Sequence, residues 1–262
     1  MTIRPKKHLG QHFLRDENIA RKIVGYLNPE IKLVLEIGPG MGILSKYLLN
    51  NPDIDPYFME VDRESVQFLL SAYPEISGRL IETDFLTYDL AEFPHISSDV
   101  LPPFTIIGNF PYNISSQILF KALEHRNRVA EVVGMFQKEV AERIAAPPGS
   151  KTYGIISVIL QAFYEIEYLF TVNETVFYPP PKVKSAVIRL KRNTTLDLGC
   201  DETLFIRVVK TAFNQRRKTL RNALQTYNQS PGWHELEPFL SQRAEQLSVA
   251  DFVEMTTLLT QK

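Results

Sequence analysis

Four consecutive residues, Asn109–Tyr112 ("NFPY"), combine groups that suit the exocyclic amine of a flat base. The Asn109 side-chain oxygen and the Phe110 backbone carbonyl could each accept one N–H of such an amine. Pro111 biases residue 110 away from the helical region, which aims that carbonyl. Holding both N–H groups favours a pyramidal nitrogen with an available lone pair, and Tyr112 supplies a face for a flipped base. The tetrapeptide predicts a corner that activates an adenine amine, although a turn packing an aromatic ring also explains these residues taken alone.

Three glycines at alternate positions lie where a predicted strand ends and a helix begins, in "LEIGPGMG" (35–42). Gly38, Gly40 and Gly42 permit positive φ and close approach of a ligand, and the helix N-terminus offers free N–H groups. The spacing is Gly-x-Gly-x-Gly, not the Gly-x-Gly-x-x-Gly of dinucleotide folds. Glu60, at the end of the next strand, could accept both hydroxyls of a ribose. Together these residues predict S-adenosylmethionine (SAM), which has no pyrophosphate; a purely structural turn remains the alternative for the glycines alone.

Asp84 in "ETDF" (82–85) ends the third predicted strand, and its carboxylate could accept the exocyclic amine of the cofactor's adenine. A helix N-cap is the other explanation of an aspartate at this position. Open α/β sheets bind ligands at the carboxyl ends of their strands, where Asp84 and the corner after the fourth strand both fall.

The elements that must position these groups are apolar runs alternating with helical patterns, which indicate a parallel, doubly wound sheet. The predicted strands are 32–37, 57–61, 79–83, 104–109, 132–137, 165–172 and 185–190, with helical patterns at 42–50, 115–124 and 155–164. An irregular Pro-rich loop joins the last two strands, which favours an antiparallel pair. The prediction is an α/β fold: a Rossmann-like SAM-dependent methyltransferase sheet with helices on both faces.

Beyond residue 202 the sequence shows no convincing strand, and helices are predicted at 202–213, 217–224, 232–242 and 249–261. We therefore expect two domains, a methyltransferase domain over 1–195 and a small all-helical C-terminal domain over 196–262.

Two basic stretches accompany the predicted pocket. Lys6 and Lys7 lie in "RPKKHLGQHFLR" (4–15), and "AFNQRRKTLRNAL" (212–224) carries Arg216, Arg217, Lys218 and Arg221. Arg217 and Arg221 would share a face of a continuous helix. A solvated face is the usual explanation of one such run, but two runs beside an adenine pocket predict contacts with RNA phosphates, to which the C-terminal domain would contribute.

Composition excludes several classes of protein. The 262 residues are 44% hydrophobic, enough for a folded core, and a net charge of −1 does not by itself indicate a nucleic-acid partner. No apolar run reaches the roughly 20 residues that cross a bilayer, so no membrane association is expected. The single cysteine, Cys200, excludes an internal disulfide and a cysteine-based zinc site and favours a cytoplasmic location. The histidines, His95 among them, show no ligand spacing, so we expect no metal.

Long motifs over nearly the whole chain resemble those of the KsgA/RsmA-type small-subunit (16S) rRNA adenine N6,N6-dimethyltransferases. The similar segments are "KKHLGQHFL" (6–14), "EIGPGMG" (36–42), "NFPYNIS" (109–115), "QKEVAERIAA" (137–146), "SKTYGIISV" (150–158), "FYPPPKVKSAVIRL" (177–190) and "AFNQRRKTLRNAL" (212–224). The resemblance implies methyl transfer from SAM to N6 of two adjacent adenosines in a hairpin near the 3′ end of 16S rRNA. The expected partner is 16S rRNA in an immature small ribosomal subunit, and we expect the enzyme to be a monomer.

Carried over position by position, the family's cofactor contacts are six residues of this chain. They are His12, Leu14, Gly38, Glu60, Asp84 and Asn109. Phe177 resembles the aromatic residue that closes on the target base opposite Tyr112. The chain departs from the family at two positions of its motifs, with His12 for the usual Asn and Phe110 for the usual Leu. The second change is harmless if only the backbone carbonyl acts, whereas the first leaves open whether the side chain or only the backbone contacts SAM.

Three other activities are compatible with parts of the pattern. A large-subunit rRNA adenine methyltransferase that confers macrolide resistance would share the chemistry, but the motifs at 177–190 and 212–224 favour the small-subunit enzyme. A non-catalytic RNA-binding or transcription factor on this scaffold would not need the glycine turn, the two acids or "NFPY". A DNA adenine methyltransferase would need a larger region than 202–262 for base-by-base readout.

Overall fold

The computed structural model of the chain describes residues 4–94 and 101–260, and His95 lies outside them. The strands among these residues are β1 (Phe13–Leu14), β2 (Leu33–Ile37), β3 (Asp55–Glu60), β4 (Leu80–Glu82), β5 (Phe104–Asn109), β6 (Val129–Gln137), β7 (Tyr164–Val172), β8 (Phe177–Tyr178) and β9 (Ser185–Arg192). The α-helices are α1 (Glu17–Val24), α2 (Ser45–Leu49), α3 (Arg63–Ala72), α4 (Ser115–Glu124), α5 (Lys138–Ala145), α6 (Ile155–Gln161), α7 (Glu202–Asn214), α8 (Leu220–Ala223), α9 (Glu237–Leu240) and α10 (Val249–Thr260). None of these helices is long and apolar enough to span a bilayer.

Seven strands form one sheet in the order β4-β3-β2-β5-β6-β9-β7. The strands from β4 to β6 in that order are parallel, and β9 runs antiparallel to β6. Each of the seven predicted strands has its counterpart here, so the doubly wound α/β fold is confirmed. β2 pairs with β3 on one side and with β5 on the other, so the strand order reverses between β2 and β5. This is the switch point, where such sheets bind ligands at the carboxyl ends of the strands.

The central strands are mostly apolar because both faces of the sheet are covered. All five residues of β2 are buried, and in β5 only Asn109, at the end, is partly exposed. Parallel strands buried on both faces read as continuous apolar runs, which is why "LVLEI" and "FTIIG" were recognisable. The polar Asn109 therefore marks the point where β5 leaves the core.

β1 and β8 form a separate two-stranded antiparallel sheet that the sequence did not predict. Phe13 pairs with Tyr178, and Leu14 pairs with Phe177. Two-residue strands are too short to show a period, and their partners lie far apart in sequence. This small sheet joins the N-terminal segment to the Pro-rich loop that follows β8.

Contacts between residues divide the chain into two compact units. The first holds the described residues up to Ala141 together with Glu167–Arg192, and the second holds Glu142–Ile166 and the described residues from Asn193. In the second unit the Phe213 ring lies 6.1 Å from Tyr153 and 6.0 Å from Phe252. The segment 142–166 thus groups with the C-terminal helices, whereas the division into functional domains near residue 195 stays a prediction.

The helix predicted at 217–224 begins later than expected. Residues 215–219 form a turn between α7 and α8, so Arg217 and Arg221 do not lie on one continuous helix. The sequence "NQRRKT" has no apolar residue to bury, so nothing in it holds a helical face against the core.

Candidate active site

A pocket opens at the carboxyl ends of β2, β3 and β5. Its walls come from residues 8–13, the glycine turn, and residues 59–61, 83–86 and 109–114. The connections leaving β2 and β5 diverge at the switch point, which leaves room for a ligand between them. Most of the residues expected to hold SAM and the target adenine are therefore gathered around one cavity.

The three glycines of the turn have different reasons to be glycine, although all have positive φ, at 65°, 57° and 76°. A Cβ on Gly40 would lie 2.9 Å from the Phe13 ring, and one on Gly42 would lie 2.5 Å from the Tyr73 ring. A Cβ on Gly38 would meet no atom of the described residues within 4 Å, yet Gly38 lines the pocket. Packing thus requires Gly40 and Gly42, whereas Gly38 keeps space open for a ligand.

The Glu60 carboxylate is buried, with 4% of the residue exposed, and accepts three backbone N–H groups. The Gly40 N–H bonds Oε2 at 3.0 Å, and those of Val61 and Asp62 bond Oε1 at 3.0 and 2.9 Å. Burial raises the pKa of Glu60, and the three bonds oppose this rise by favouring the charged form. A carboxylate has about four acceptor sites, so Oε2 can accept one ribose hydroxyl without losing a protein bond. Accepting both hydroxyls, as predicted, would require one of these bonds to open.

Asp84 serves a local turn and still faces the pocket. Its Oδ1 accepts the N–H of Leu86 at 2.9 Å, the kind of bond expected of a capping aspartate. The residue is exposed and lines the pocket. The turn uses one carboxylate oxygen and leaves the second for a ligand, so both explanations of Asp84 are compatible with this geometry.

The Asn109 amide is oriented by the N-terminal segment. Its Nδ2 donates to the His12 carbonyl at 2.8 Å. Because the nitrogen is identified by this bond, the remaining atom, Oδ1, is an acceptor, and no donor among the described residues reaches it. This is the orientation in which Asn109 can accept an N–H of a target amine.

The side chain of Phe110 packs in the core, whereas its backbone carbonyl is left without a hydrogen bond from the described residues. The ring is buried, with 1% of the residue exposed, and packs edge-on against Phe136. It lies over Gly108 and Gly134, which are neighbours across β5 and β6, and a Cβ on them would come within 2.7 and 2.2 Å of the ring. The Phe110 carbonyl accepts no hydrogen bond from the part of the chain that the structure describes, so it is available to a ligand.

Tyr112 is held by a hydrogen bond at its hydroxyl and by a stacked ring on one face. Its hydroxyl bonds the Ser185 hydroxyl at 2.5 Å, and burial raises the pKa of the phenol. The His12 ring stacks on it with centroids 5.5 Å apart and planes inclined by 28°. His12 Nδ1 lies 2.7 Å from the Pro179 carbonyl oxygen, to which it donates. The side chain of His12 therefore covers one face of Tyr112, and a target base would stack on the opposite face.

Two predicted site residues are not brought to the pocket. Leu14 and Phe177 pair across the small sheet and lie in the hydrophobic core, with 5% and 3% of each residue exposed. Neither lines the cavity. Tyr178, next to Phe177, is instead 47% exposed and carries the Arg15 guanidinium 4.1 Å above its ring. The cofactor role of Leu14 and the base-closing role of Phe177 stay predictions.

Several wall residues were missed from the sequence. Val61 and Phe85 each directly follow a predicted acid, line the cavity and could flank an adenine ring. Asn113, directly after the Asn109–Tyr112 corner, also lines the cavity. Val61 is 49% exposed, which is unusual for a valine at a strand end. An apolar residue after a strand looks like core in a sequence, so only its position after Glu60 could have indicated a role.

The predicted RNA-binding residues at the N-terminus differ in how they are bonded. Lys6 Nζ lies 2.5 Å from Asp62 Oδ1 and 3.0 Å from Glu64 Oε1. Lys7 begins the short 3-10 helix Lys7–Leu9, and its side chain lies outside the described atoms. Lys6 is thus already paired with two acids.

Of the four C-terminal cations predicted to bind RNA, two have side chains bonded to other described residues and two do not. The Arg216 guanidinium donates to the Lys151 carbonyl at 2.5 Å, and Arg221 pairs with the Glu237 carboxylate. Arg217 and Lys218 are exposed, and their side chains bond no residue that the structure describes. Arg217 and Lys218 are therefore the members of the cluster free to meet phosphate.

Two solved structures share the fold over most of the chain. A crystal structure of a dimethyladenosine transferase from Plasmodium falciparum is 25% identical, with a TM-score of 0.76, and covers 93% of this chain and 96% of its own. A crystal structure of the 23S rRNA methyltransferase ErmE is 24% identical, with a TM-score of 0.67, and covers 93% and 99%. The sheet order, the glycine turn and the acid after the next strand define a Rossmann-like SAM-dependent methyltransferase.

Residues 3–261 match the model of the ribosomal RNA adenine dimethylase family, and the chain belongs to that family. The ribosomal RNA small subunit methyltransferase A of Cytophaga hutchinsonii is 55% identical over 99% of each chain. The resemblance noted in the sequence is thus confirmed.

Proposed function

We propose that this enzyme transfers methyl groups from SAM to N6 of two adjacent adenosines in a hairpin near the 3′ end of 16S rRNA. The products are N6,N6-dimethyladenosines, formed during assembly of the small ribosomal subunit. The observation that carries the chemistry is the Asn109 amide, whose nitrogen is bonded to His12 and whose oxygen is left to accept an amine. The 55% identical relative is named for the small subunit, which supports the choice of substrate.

The pocket residues fit SAM. Gly38 leaves space where any side chain would intrude, Glu60 Oε2 has an acceptor site for a ribose hydroxyl, and one Asp84 oxygen can accept the adenine amine. Bound SAM would supply the electrophilic methyl group. No group of three potential metal ligands occurs among the described residues, and the proposed chemistry needs no metal.

The corner after β5 would act on the target nitrogen. In the first transfer the Asn109 oxygen and the Phe110 carbonyl accept its two N–H groups, and in the second transfer one of these acceptors holds the single N–H that remains. Both arrangements favour the pyramidal form and stabilise the positive charge that develops on the nitrogen. Both acceptors are fixed beforehand, Asn109 by His12 and residue 110 by its buried ring, so they need not reorganise during the reaction. The proton passes to water after transfer, so no strong general base is required.

Binding of the RNA would involve a different part of the chain. Residues 196–262 contribute to rRNA binding in this proposal, with Arg217 and Lys218 on phosphates, while Arg216 and Arg221 shape the turn that presents them. The target adenosine is extruded from its hairpin and stacks on Tyr112. Phe177 could close on the base only by leaving the core. The enzyme would act as a monomer in the cytoplasm, where the subunit is assembled.

The test is methylation with labelled SAM of undermethylated small subunits, mature small subunits, large subunits and naked 16S rRNA. Primer extension then locates the modified bases. We expect label in undermethylated small subunits, at two adjacent adenosines near the 3′ end of 16S rRNA.

Two other outcomes would each favour a different function. Label in the large subunit would indicate the large-subunit enzyme. Absence of label from every substrate, with RNA binding intact, would indicate a non-catalytic factor.

A further inference from the structure

The segment Lys6–His12, here called the strap, forms one wall of the pocket through residues 8–12. It is fastened at its far end to the catalytic corner, where the His12 carbonyl holds Asn109 and the His12 ring holds Tyr112. At its near end it meets the start of α3, beside the acid expected to bind ribose. A ligand in the pocket is therefore bounded on one side by a chain segment with two separate attachments.

The near attachment consists of three side chains. Lys6 Nζ lies 2.5 Å from Asp62 Oδ1, and Gln11 Nε2 donates to Asp62 Oδ2 at 3.4 Å. The Gln11 amide oxygen accepts the backbone N–H of Lys6 at 2.9 Å, which closes the strap into a loop over Asp62. Glu64, 3.0 Å from Lys6 Nζ, adds a second negative charge.

Asp62 connects this attachment to Glu60. Its backbone N–H donates to Glu60 Oε1 at 2.9 Å, and its carboxylate caps α3 through the Glu64 N–H at 3.3 Å. Burial opposes ionisation of Asp62, but the bonds from Lys6, Gln11, Ser65 and the Glu64 N–H outweigh it and lower its pKa. The residue is thus charged and fixed, and one side of it holds the strap while the other orients the ribose acid.

We propose that Lys6, Gln11 and Asp62 form a latch that keeps the strap closed and so sets how long SAM stays bound. The proposal rests on the proposed function insofar as SAM is the ligand. Lys6 is then a positioning residue for the cofactor, and its neutralisation should shorten the lifetime of the bound cofactor without changing the phosphate contacts of the RNA.

The experiment measures binding of S-adenosylhomocysteine to the full chain, without RNA, by calorimetry and by surface plasmon resonance. Lys6→Met removes the charge and keeps the length of the side chain, and Lys6→Arg restores the charge. The control is Lys191→Met, which removes a comparable ion pair, Lys191 Nζ to Glu167 Oε1 at 2.9 Å, outside the pocket. Melting curves establish that each variant is folded.

We expect Lys6→Met and Gln11→Ala to weaken binding about fivefold to tenfold, mainly through faster dissociation, because a charge-assisted hydrogen bond is lost. Lys6→Arg and Lys191→Met should stay close to wild type. Unchanged dissociation in Lys6→Met would overturn the latch even if Gln11→Ala dissociates faster, because Gln11 also lines the pocket and its removal can act on the ligand directly. A separate titration with RNA at several salt concentrations tests the other role of Lys6: a smaller salt dependence in Lys6→Met together with unchanged cofactor binding would overturn the latch and assign Lys6 to phosphate contacts. Failure of the wild type to bind would instead count against SAM as the ligand.

Discussion

In the pocket, Glu60 accepts three backbone N–H groups and the Asn109 amide donates to His12. In residues 215–219, here called the basic turn, the side chains of Arg217 and Lys218 bond no described residue. The difference corresponds to what each region is proposed to recognise. Stabilising charge on one nitrogen requires dipoles that are fixed before the reaction. Phosphates attract cations over several ångströms and in many geometries, so flexible, fully solvated side chains suffice.

Because acids near the glycine turn are buried whereas Arg217 and Lys218 are exposed, changing one of these acids should affect stability far more than changing either cation. Glu36 is buried, an oxygen of its carboxyl group accepts the Ser45 hydroxyl at 2.7 Å, and burial raises its pKa from 4.5 to about 8. The folded state therefore holds a proton that the unfolded chain releases, and stability falls as pH rises from about 4.5 to about 8. Glu36→Gln removes this cost and should stabilise the protein above pH 8 by up to about 5 kcal/mol.

Urea unfolding at pH 5, 7 and 9 would check this expectation. The exposed Lys218, changed to Met, serves as the control and should alter stability by less than about 0.5 kcal/mol at each pH. Parallel pH profiles for wild type and Glu36→Gln would show that Glu36 is not the responsible group.

The next effect concerns the rate of the reaction. Asn109→Ala should lower the single-turnover rate about 100-fold or more at saturating SAM and RNA, because its oxygen acts most strongly when the target nitrogen is charged. Binding of RNA should change far less. Wild-type single-turnover rates in this variant would exclude the proposed amine contact.

A smaller effect is expected in the basic turn. Reversing Arg217 and Lys218 to Glu should weaken RNA binding about tenfold and lower the dependence of affinity on salt, with SAM binding unchanged. Arg221→Gln should do less, because Glu237 already neutralises Arg221. RNA titrations at several salt concentrations compare both variants with wild type. A salt slope of the double variant equal to that of wild type would mean that Arg217 and Lys218 do not touch phosphate.

The smallest catalytic effect is expected at Phe110. Phe110→Leu should leave the single-turnover rate within about twofold of wild type, because only the carbonyl acts, while costing about 1 kcal/mol of stability through the vacated space. Gly134→Ala should be strongly destabilising on its own, since its Cβ would lie 2.2 Å from the Phe110 ring. Combining it with Phe110→Leu should recover only part of the lost stability, because the added Cβ would still lie 2.9 Å from the Phe136 ring, and a denaturation cycle measures this coupling. A slow Phe110→Leu enzyme would give the ring a catalytic role.

The sequence predicted those parts of the molecule that depend on local pattern. The central strands follow from apolar runs, and Gly38, Glu60 and Asp84 follow from their places at strand ends. The parts it could not predict depend on contacts between distant segments. The burial of Phe177 depends on pairing with Leu14, and the grouping of 142–166 with the C-terminal helices depends on packing.

Charge patterns were the least informative part of the sequence. Lys6 and Arg217 look alike in a count of cations, yet Lys6 is paired with Asp62 while Arg217 is free. The predicted helical face joining Arg217 to Arg221 was wrong because residues 215–219 form a turn. Whether a basic residue is available to RNA depends on the acids near it in space, which its neighbours in sequence do not reveal.

The strap also fixes an order of events during synthesis. Lys6 and His12 leave the ribosome long before their partners, since Asp62 follows Lys6 by 56 residues, and Asn109 and Pro179 follow His12 by 97 and 167. A nascent chain that ends before Pro179 has the glycine turn and Glu60 but cannot fasten the far end of the strap completely. The far attachment of the strap is therefore completed only when most of the sheet has been made, and on the proposed role of the strap an unfinished chain should hold the methyl donor for a shorter time than the finished enzyme.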